Sequence, residues 1–212
     1  MELRVDGVLL DSDGVLVDSA AAVEAAWLAW ARHFEVDPAG VLRVNHGRPA
    51  VDVIALVAPH LDLGAAFALV EQLEVDTAHQ TRPMPGAVDL VRSLPRDRWA
   101  VVTSATRRLA TARLAAAGIH PRTVVTAEDT THGKPHPAPY LAAAERLGLD
   151  PNRCVVFDDT PLGLAAGRAA GATVVGVASL LSAEELEADA VVGGLDDVQA
   201  DLDGSRIVLR LP

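Results

Sequence analysis

Cysteine is almost absent from the chain: Cys154 is the only one among 212 residues, so no intrachain disulfide can form. No apolar run approaches the ~20 residues that a membrane-spanning helix needs. The first ten residues carry Glu2, Arg4 and Asp6, and they lack the apolar core of a signal peptide. We therefore expect a protein of the reducing cytoplasm without a membrane partner.

Basic charge is also scarce. The formal net charge is −11, and Lys134 is the only lysine among 18 lysine and arginine residues. Nucleic-acid binding depends on neutralising phosphates with Lys and Arg, so an acidic chain without a basic stretch is not expected to bind DNA or RNA. A phosphorylated substrate would have to be attracted by a local metal ion or cation, against the charge of the whole protein.

Apolar residues are abundant, at 50% of the chain. This is enough for one well-packed domain, or for a core domain with a small insertion. After Gly86, apolar segments of strand length alternate with helical segments, which predicts a doubly wound, mostly parallel α/β sheet. The stretch before Gly86 is helical apart from a first strand. We therefore predict a Rossmann-like α/β core of residues 1–14 and 83–212 and an inserted α-helical lid of residues 15–82.

The boundaries of the individual elements follow from periodicity and capping residues. Thr106 and Thr160 have the side chains of helix N-caps, and Pro161 suits the first position of a helix. We predict strands over residues 5–10, 99–103, 124–126, 154–157 and 173–177, with edge strands at 190–192 and 206–209. We predict helices over residues 20–34, 49–58, 63–79, 87–94, 107–117 and 140–147, and from 161 to just before 171.

Polar side chains follow the predicted strands at their carboxyl ends, where open α/β sheets bind ligands. The set comprises Asp11, Asp13, Ser104, Lys134, Asp158 and Asp159. Carboxylates at close range repel each other unless a hard cation lies among them, and Mg²⁺ prefers few carboxylates plus water and phosphate oxygens. The sequence therefore predicts a magnesium site that binds a phosphorylated small molecule.

The same residues have the chemistry of phosphoryl transfer. A carboxylate in line with the leaving group can attack phosphorus and form an aspartyl-phosphate. A second carboxyl two residues away can protonate the departing oxygen and later deprotonate water. The phosphate oxygens would be held by a hydroxyl, by the lysine and by backbone N–H groups before the helix at Arg107, that of Ala105 among them. Thr103 and Ser104 both offer a hydroxyl, and we favour Ser104.

Lys134 is the most informative of these residues. The chain otherwise uses arginine for its basic positions, and the ammonium of a lysine is not interchangeable with a planar guanidinium. A single lysine at this place therefore indicates a function rather than a solvated surface position.

Four segments resemble the motifs of the haloacid dehalogenase superfamily, and they occur in the family's order. They are DSDGVLVDS at residues 11–19, VVTS at 101–104, GKP at 133–135 and FDDTPLG at 157–163. The resemblance implies that Asp11 is the nucleophile and that Asp13 is the general acid and base, whose backbone carbonyl also binds the metal.

The resemblance also implies the remaining site residues. Ser104 and Lys134 match the positions that hold phosphate. Asp159 matches a direct Mg²⁺ ligand, and Asp158 matches either a second ligand or a residue that supports one.

Two further segments are similar to glycerol-3-phosphate and 2-deoxyglucose-6-phosphate phosphatases, which carry a helical cap. These are residues 99–107 and 133–140, and the sequence NHGR at 45–48 resembles the lid loop of those enzymes, with its arginine one place earlier. The resemblance implies Mg²⁺-dependent hydrolysis of a small sugar or polyol phosphate. It makes His46 and Arg48 candidates for substrate contact, with plain surface exposure as the alternative.

Two other functions are alternatives to hydrolysis. In a sugar-phosphate mutase of the β-phosphoglucomutase type, the lid supplies a lysine and a histidine, but residues 20–27 contain no histidine and residues 15–82 contain no lysine. A non-catalytic phosphate-binding regulator would need a damaged catalytic set, and this set is complete. The sequence is compatible with a monomer, but it leaves the oligomeric state and the individual substrate open.

Overall fold

The computed structural model of the chain describes residues 1–45 and 47–212. Its strands are β1 (Glu2–Val5), β2 (Gly7–Leu10), β3 (Val17–Asp18), β4 (Arg82–Pro83), β5 (Trp99–Val102), β6 (Val124–Val125), β7 (Cys154–Asp158), β8 (Thr173–Val177), β9 (Ala190–Val192), β10 (Gln199–Asp203) and β11 (Arg206–Arg210). Its α-helices are α1 (Ala20–Phe34), α2 (Pro38–Val44), α3 (Ala50–Val57), α4 (Leu63–Thr77), α5 (Ala87–Ser93), α6 (Arg107–Ala116), α7 (Ala138–Leu147) and α8 (Pro161–Ala169).

The central sheet is parallel, with strand order β6-β5-β2-β7-β8-β9. Strand β2 lies between β5 and β7, and Leu10 pairs with Val101 on one side and with Phe157 on the other. Every residue of β2, β5 and β7 is buried, as expected for a parallel sheet that is covered on both faces. The structure confirms the predicted doubly wound, mostly parallel α/β fold.

Each face of the sheet has its own apolar cluster. Val8, Leu10, Trp99 and Val101 pack with helix α5 on one face. The opposite face, which includes Leu9, packs with helices α7 and α8. The two clusters enclose the sheet and fix the carboxyl ends of its strands at one edge.

Helices α1 to α4 form a third cluster that is separate from the sheet. It centres on Trp30, which is fully buried and donates from Nε1 to the backbone oxygen of Ala66 at 2.8 Å. This contact ties α1 to α4. The four helices all lie within residues 15–82, the predicted lid, whereas Val15, Leu16 and Val17 pack in the cluster of the sheet.

The first predicted strand, over residues 5–10, begins too early, because strand β2 begins at Gly7 in the structure. Asp6 interrupts it: its backbone N–H donates to the carbonyl of Arg153 at 2.7 Å, and its carboxylate pairs with the Arg153 guanidinium at 2.8 Å. Val5 therefore belongs to β1, which pairs antiparallel with β11.

A strand is present at 206–209 as predicted, but it is not an edge strand of the central sheet. It is part of β11, the middle strand of a separate antiparallel sheet with order β1-β11-β10. Strand β10 was not predicted because its sequence, QADLD, is mostly polar and exposed. Helix α2 and the short strands β3 and β4 were also missed. In the described part of the chain, no helix is both long and apolar enough to cross a bilayer.

Candidate active site

Three buried carboxylates meet at the carboxyl ends of β2 and β7. Asp11 directly follows β2, Asp158 is the last residue of β7, and Asp159 follows it. Because β2 and β7 are neighbours in register, these side chains converge, and each offers an oxygen within 4.8 Å of the others. All three are at most 6% exposed. The sequence-predicted residues Asp11, Asp158 and Asp159 therefore lie together.

Lys134 lies among these carboxylates. Its Nζ atom is 2.8 Å from Asp11 Oδ1 and 2.8 Å from Asp158 Oδ2, and the residue is 4% exposed. Burial opposes the charge of the ammonium, but Asp11 and Asp158 outweigh this effect and raise the pKa of Lys134. The lysine therefore stays charged beside the Asp11 carboxylate.

Each carboxylate oxygen of Asp158 accepts two hydrogen bonds. Its Oδ2 accepts from Lys134 and from the Tyr140 hydroxyl at 2.5 Å. Its Oδ1 accepts from the backbone N–H and the hydroxyl of Thr160, at 3.0 and 2.8 Å. A carboxylate held by four donors orients its neighbours, and here it orients Lys134.

Asp159 has different surroundings. Its Oδ2 accepts from Ser179 Oγ at 3.2 Å, whereas its buried Oδ1 has no hydrogen-bond partner among residues 1–45 and 47–212. A buried polar atom without a partner is costly, so such an atom calls for a ligand. Carboxylate oxygens are hard donors of the kind that Mg²⁺ prefers, and Asp11 and Asp159 therefore fit this ion.

The pKa values of both carboxyls reflect this crowding. Burial raises the pKa of Asp11 well above its ordinary value; Lys134 opposes the rise, and Asp158 and Asp159 add to it. Burial, with the charge of Asp158, raises the pKa of Asp159 to about 7. A cation placed between Asp11 and Asp159 would relieve this repulsion.

Asp13 lies in the loop after β2, two residues beyond Asp11. Its Oδ1 accepts from Ser19 Oγ at 2.5 Å and from Arg113 Nη1 at 3.0 Å. Its side chain is 30% exposed, and the residue lines the same cavity as Asp11. The two predicted catalytic carboxyls thus line one cavity.

The predicted phosphate-holding residues after β5 also line this cavity. Ser104 Oγ donates to the carbonyl of Gly47 at 3.1 Å. The backbone N–H of Ala105 donates to Thr103 Oγ1 at 3.1 Å, so the oxygen of the rival Thr103 hydroxyl acts as an acceptor within its own loop. Ser104, Ala105 and Thr103 border the cavity beside Asp11.

The cavity has a volume of about 660 Å³ and lies between the sheet edge and helices α1, α3 and α4. Its wall includes Arg48 and Asn45 of the predicted substrate loop. The Asn45 amide is buried, and neither its oxygen nor its nitrogen has a partner in the described part of the chain. His46 lies outside the described residues. The apolar part of the wall comes mainly from Val23, Trp27, Phe67, Met84 and Leu109.

Sequence reasoning did not identify three residues near the site, although each has a feature in the sequence that could have revealed it. Tyr140 is the only tyrosine in the chain. Arg113 lies on the buried face of α6, four residues after Leu109. Glu74 occupies the buried face of α4, four residues after Val70. A charged residue at helical spacing on an apolar face has to have a partner, and here Arg113 and Glu74 are partners at 3.2 Å.

Comparisons with known proteins are consistent with this geometry. The family model for haloacid dehalogenase-like hydrolases matches residues 5–171. The chain is 38% identical over 203 residues to hexitol phosphatase A of Escherichia coli (strain K12), with 92% of this chain and 94% of that protein covered. It is 36% identical over 205 residues to glycerol-1-phosphate phosphohydrolase 2 of Saccharomyces cerevisiae, with 88% and 80% covered.

Among solved structures, the chain is similar to β-phosphoglucomutase from Clostridium difficile. The TM-score is 0.82 at 19% sequence identity, with 92% of this chain and 93% of that chain covered. At this identity the likeness concerns the fold, which hydrolases and mutases of this kind share.

Proposed function

Because this chain belongs to the haloacid dehalogenase-like hydrolases and is a phosphatase, we propose that it hydrolyses small sugar or polyol phosphates. The proposed reaction requires Mg²⁺ and passes through an intermediate in which the phosphoryl group is bound to Asp11. One observation carries the proposal. The Asp11 carboxylate lies buried at the end of a strand, 2.8 Å from a charged lysine and open to a cavity. A carboxylate held in this way is positioned to attack a phosphorus atom above it.

The two steps of hydrolysis use Asp11 and Asp13. An oxygen of Asp11 attacks phosphorus, the bond from phosphorus to the leaving oxygen breaks, and Asp13 gives that oxygen its proton. Asp13 then takes a proton from water as the water oxygen attacks phosphorus, which releases inorganic phosphate and restores Asp11. Lys134, Ser104 and the N–H of Ala105 would hold the phosphate oxygens, which would replace the acceptors that Ser104 and Ala105 have in this structure, the Gly47 carbonyl and Thr103 Oγ1.

Mg²⁺ would be held by the carboxylates of Asp11 and Asp159 and by the backbone carbonyl of Asp13. There it would offset the negative charge of the phosphate and of the carboxylates. The unpartnered Oδ1 of Asp159 supports this assignment. Asp158 would not bind the metal directly, because its two oxygens already accept four hydrogen bonds.

Helices α1 to α4 would act as the lid over this site, within the proposed bounds of residues 15–82. The segment from Gly47 to Pro49 already lies against three core loops, through Ser104, Thr160 and Gly133. A closed lid excludes water from the aspartyl-phosphate site and limits the size of the leaving group.

The substrate class is proposed from the cavity wall and from the relatives. The amide of Asn45 and the guanidinium of Arg48 suit the hydroxyl groups of a polyol or sugar. The names of the two relatives place their substrates among hexitol phosphates and glycerol-1-phosphate. The mutase alternative is disfavoured, because residues 15–82 contain no lysine to hold a second phosphate. The single cysteine, Cys154, is free and buried, and we propose a cytoplasmic setting.

A phosphate-release screen tests the proposed function. The purified chain is assayed with Mg²⁺ on small sugar and polyol phosphates, a phosphopeptide and a mononucleotide, with Asp11→Asn as the matched control. We expect release from polyol or sugar phosphates and a loss of at least about 10³-fold in Asp11→Asn. Turnover by Asp11→Asn within a few fold of wild type would remove Asp11 as the nucleophile.

A further inference from the structure

A buried arginine links the predicted lid to the proposed acid and base. The side chain of Arg113, on α6, is 3% exposed. Its Nη1 lies 3.0 Å from Asp13 Oδ1, and its Nη2 lies 3.2 Å from Glu74 Oε1. Glu74 belongs to α4 and Asp13 to the loop after β2, so one guanidinium joins a lid helix to the catalytic loop.

Stability alone does not account for this triad. Burying charged groups costs free energy that their mutual attraction often fails to recover, and apolar residues of similar volume serve stability as well or better. Burial raises the pKa of Glu74 even with Arg113 beside it; the Asp13 charge adds to the rise. Arg113, Glu74 and Asp13 all line the cavity beside Asp11, so a functional role can explain why these charges are kept in a buried position.

The two carboxylate oxygens of Asp13 differ in their hydrogen bonds. Oδ1 is held from two directions, by Ser19 Oγ at 2.5 Å and by Arg113 Nη1 at 3.0 Å. For Oδ2, residues 1–45 and 47–212 provide no hydrogen-bond donor within bonding distance. Since Asp13 lines the cavity and keeps 30% of its side chain exposed, Oδ2 is the oxygen that a substrate can reach.

We propose that Arg113 is a positioning residue for the reaction: it fixes Asp13 through Oδ1 and leaves Oδ2 to transfer the proton, and Glu74 ties this arrangement to lid helix α4. This role rests on the proposed function, in which Asp13 serves as general acid and base. The proton moves from Oδ2 to the leaving oxygen as the bond from phosphorus to that oxygen breaks. Arg113 keeps its own protons throughout, and Glu74 compensates its charge.

Placement of the acid matters most when the leaving group is poor. Phenyl phosphate and 4-nitrophenyl phosphate have nearly the same shape, but nitrophenolate leaves without protonation, whereas phenolate needs the proton. The parameter kcat/KM covers the steps up to release of the phenol, so it isolates the step in which Asp13 acts as an acid. A misplaced Asp13 therefore lowers kcat/KM for phenyl phosphate more than for 4-nitrophenyl phosphate.

The test compares Arg113→Met with a matched control on the same helix. Arg108 also reaches α4, with Nη2 3.0 Å from Gln72 Oε1, but it is exposed and does not contact Asp13. We expect Arg113→Met to lower kcat/KM for phenyl phosphate about tenfold more than for 4-nitrophenyl phosphate. Arg108→Met should keep the wild-type ratio of the two values, and Arg113→Lys should fall between wild type and Arg113→Met.

A double variant shows whether Arg113 acts through Asp13. Asp13→Asn should produce the largest change in the ratio, and adding Arg113→Met to it should produce no further change. If Arg113→Met proves too unstable to assay, Glu74→Gln leaves the arginine in place and should shift the ratio in the same direction by a smaller factor.

The outcomes separate this inference from the proposed function. Equal losses on the two esters in Arg113→Met and Glu74→Gln overturn the positioning role while leaving the phosphatase intact. Additive losses in the double variant do the same. A wild-type protein that releases phosphate neither from these esters nor from sugar or polyol phosphates overturns the proposed function and this inference together.

Discussion

At the scale of single residues, Asp158 and Asp159 are neighbours whose carboxylates face different surroundings. Asp158 closes strand β7 and accepts four hydrogen bonds, from Lys134, Tyr140 and Thr160. Asp159 has left the strand, and its Oδ1 has no partner in the described part of the chain. Side chains at successive positions of an extended strand point in opposite directions, so adjacent carboxyls reach different surroundings. This difference supports the division of roles between holding Lys134 and binding Mg²⁺.

The raised pKa of Asp159 would give the proposed Mg²⁺ binding a pH dependence. Its value in the metal-free fold is about 7, above the ordinary 3.8. Between these values the folded state keeps a proton that the unfolded state has lost, so the contribution of this group to the free energy of unfolding falls as pH rises and is constant above about 7. Mg²⁺ bound at the proposed site would replace that proton. The rise in melting temperature on adding Mg²⁺ should therefore be larger at about pH 8 than at about pH 5.5.

Thermal unfolding with and without Mg²⁺ at the two pH values measures this effect. Asp159→Asn is the matched control, because it keeps the shape of the side chain and removes the charge. It should show a much smaller Mg²⁺ shift at both pH values. An equal Mg²⁺ shift in wild type and Asp159→Asn would rule out Asp159 as a ligand.

At the scale of elements, the turn from Gly47 to Pro49 is one of the places where the predicted lid touches the core. The carbonyl of Gly47 accepts from Ser104 Oγ, and a Cβ atom at Gly47 would lie 2.9 Å from Thr160 Oγ1. A Cβ atom at Gly133 would lie 2.8 Å from Pro49 Cγ. The predicted lid therefore meets three of the four motif loops at once, and glycine is what permits the close approach.

Gly47→Ala should separate the lid contact from ordinary backbone strain. Gly47 has φ +71°, and Gly118, after helix α6, has φ +70° with nothing within 4 Å of its would-be Cβ. Both alanine variants should lose about 1–2 kcal/mol of stability from the left-handed backbone. Only Gly47→Ala should also lower kcat/KM on the best substrate, by about tenfold or more, because the turn can no longer lie on Thr160.

Urea unfolding and steady-state kinetics on both variants test this expectation. Wild-type kcat/KM in Gly47→Ala, or an equal kinetic loss in Gly118→Ala, would show that the contact of this turn with the core does not matter for turnover.

At the scale of the whole molecule, an acidic protein has to accept an anionic substrate. The formal net charge is −11, and the one lysine lies 2.8 Å from Asp11, which lines the cavity. A metal ion and Lys134 would therefore provide the local attraction. The cavity of about 660 Å³ beneath α1, α3 and α4 suits a compact leaving group rather than a protein or nucleic-acid chain.

The best substrates should be polyol or sugar monophosphates of roughly three to six carbons. Arg48→Ala and His46→Ala should lower kcat/KM on these substrates about tenfold more than on 4-nitrophenyl phosphate, because only the hydroxylated substrates use those contacts. Arg43→Ala is the control, since Arg43 is a lid arginine whose side chain is 73% exposed. A phosphopeptide as best substrate, or equal losses on all substrates, would contradict this view of the lid.

The sequence alone determined the sheet, its class and the placement of Asp11, Asp158 and Lys134 at one edge. Buried parallel strands are encoded by local apolar runs, and the carboxyl ends of such strands meet at one edge whatever the details of packing. Helix caps are also encoded by local sequence, and the N-caps Thr106 and Thr160 were predicted correctly. Each accepts a hydrogen bond from a backbone N–H three residues later.

Only the tertiary structure decided the features that join distant parts of the chain. Strand β1 pairs with β11 across almost the whole sequence, and no local pattern encodes that pairing. Arg113 and Asp13 are 100 residues apart, and they meet only because α6 packs against α4 beside the catalytic loop. Periodicity indicates which face of a helix is buried, but the partner of a charge on that face depends on how the helices are arranged in space.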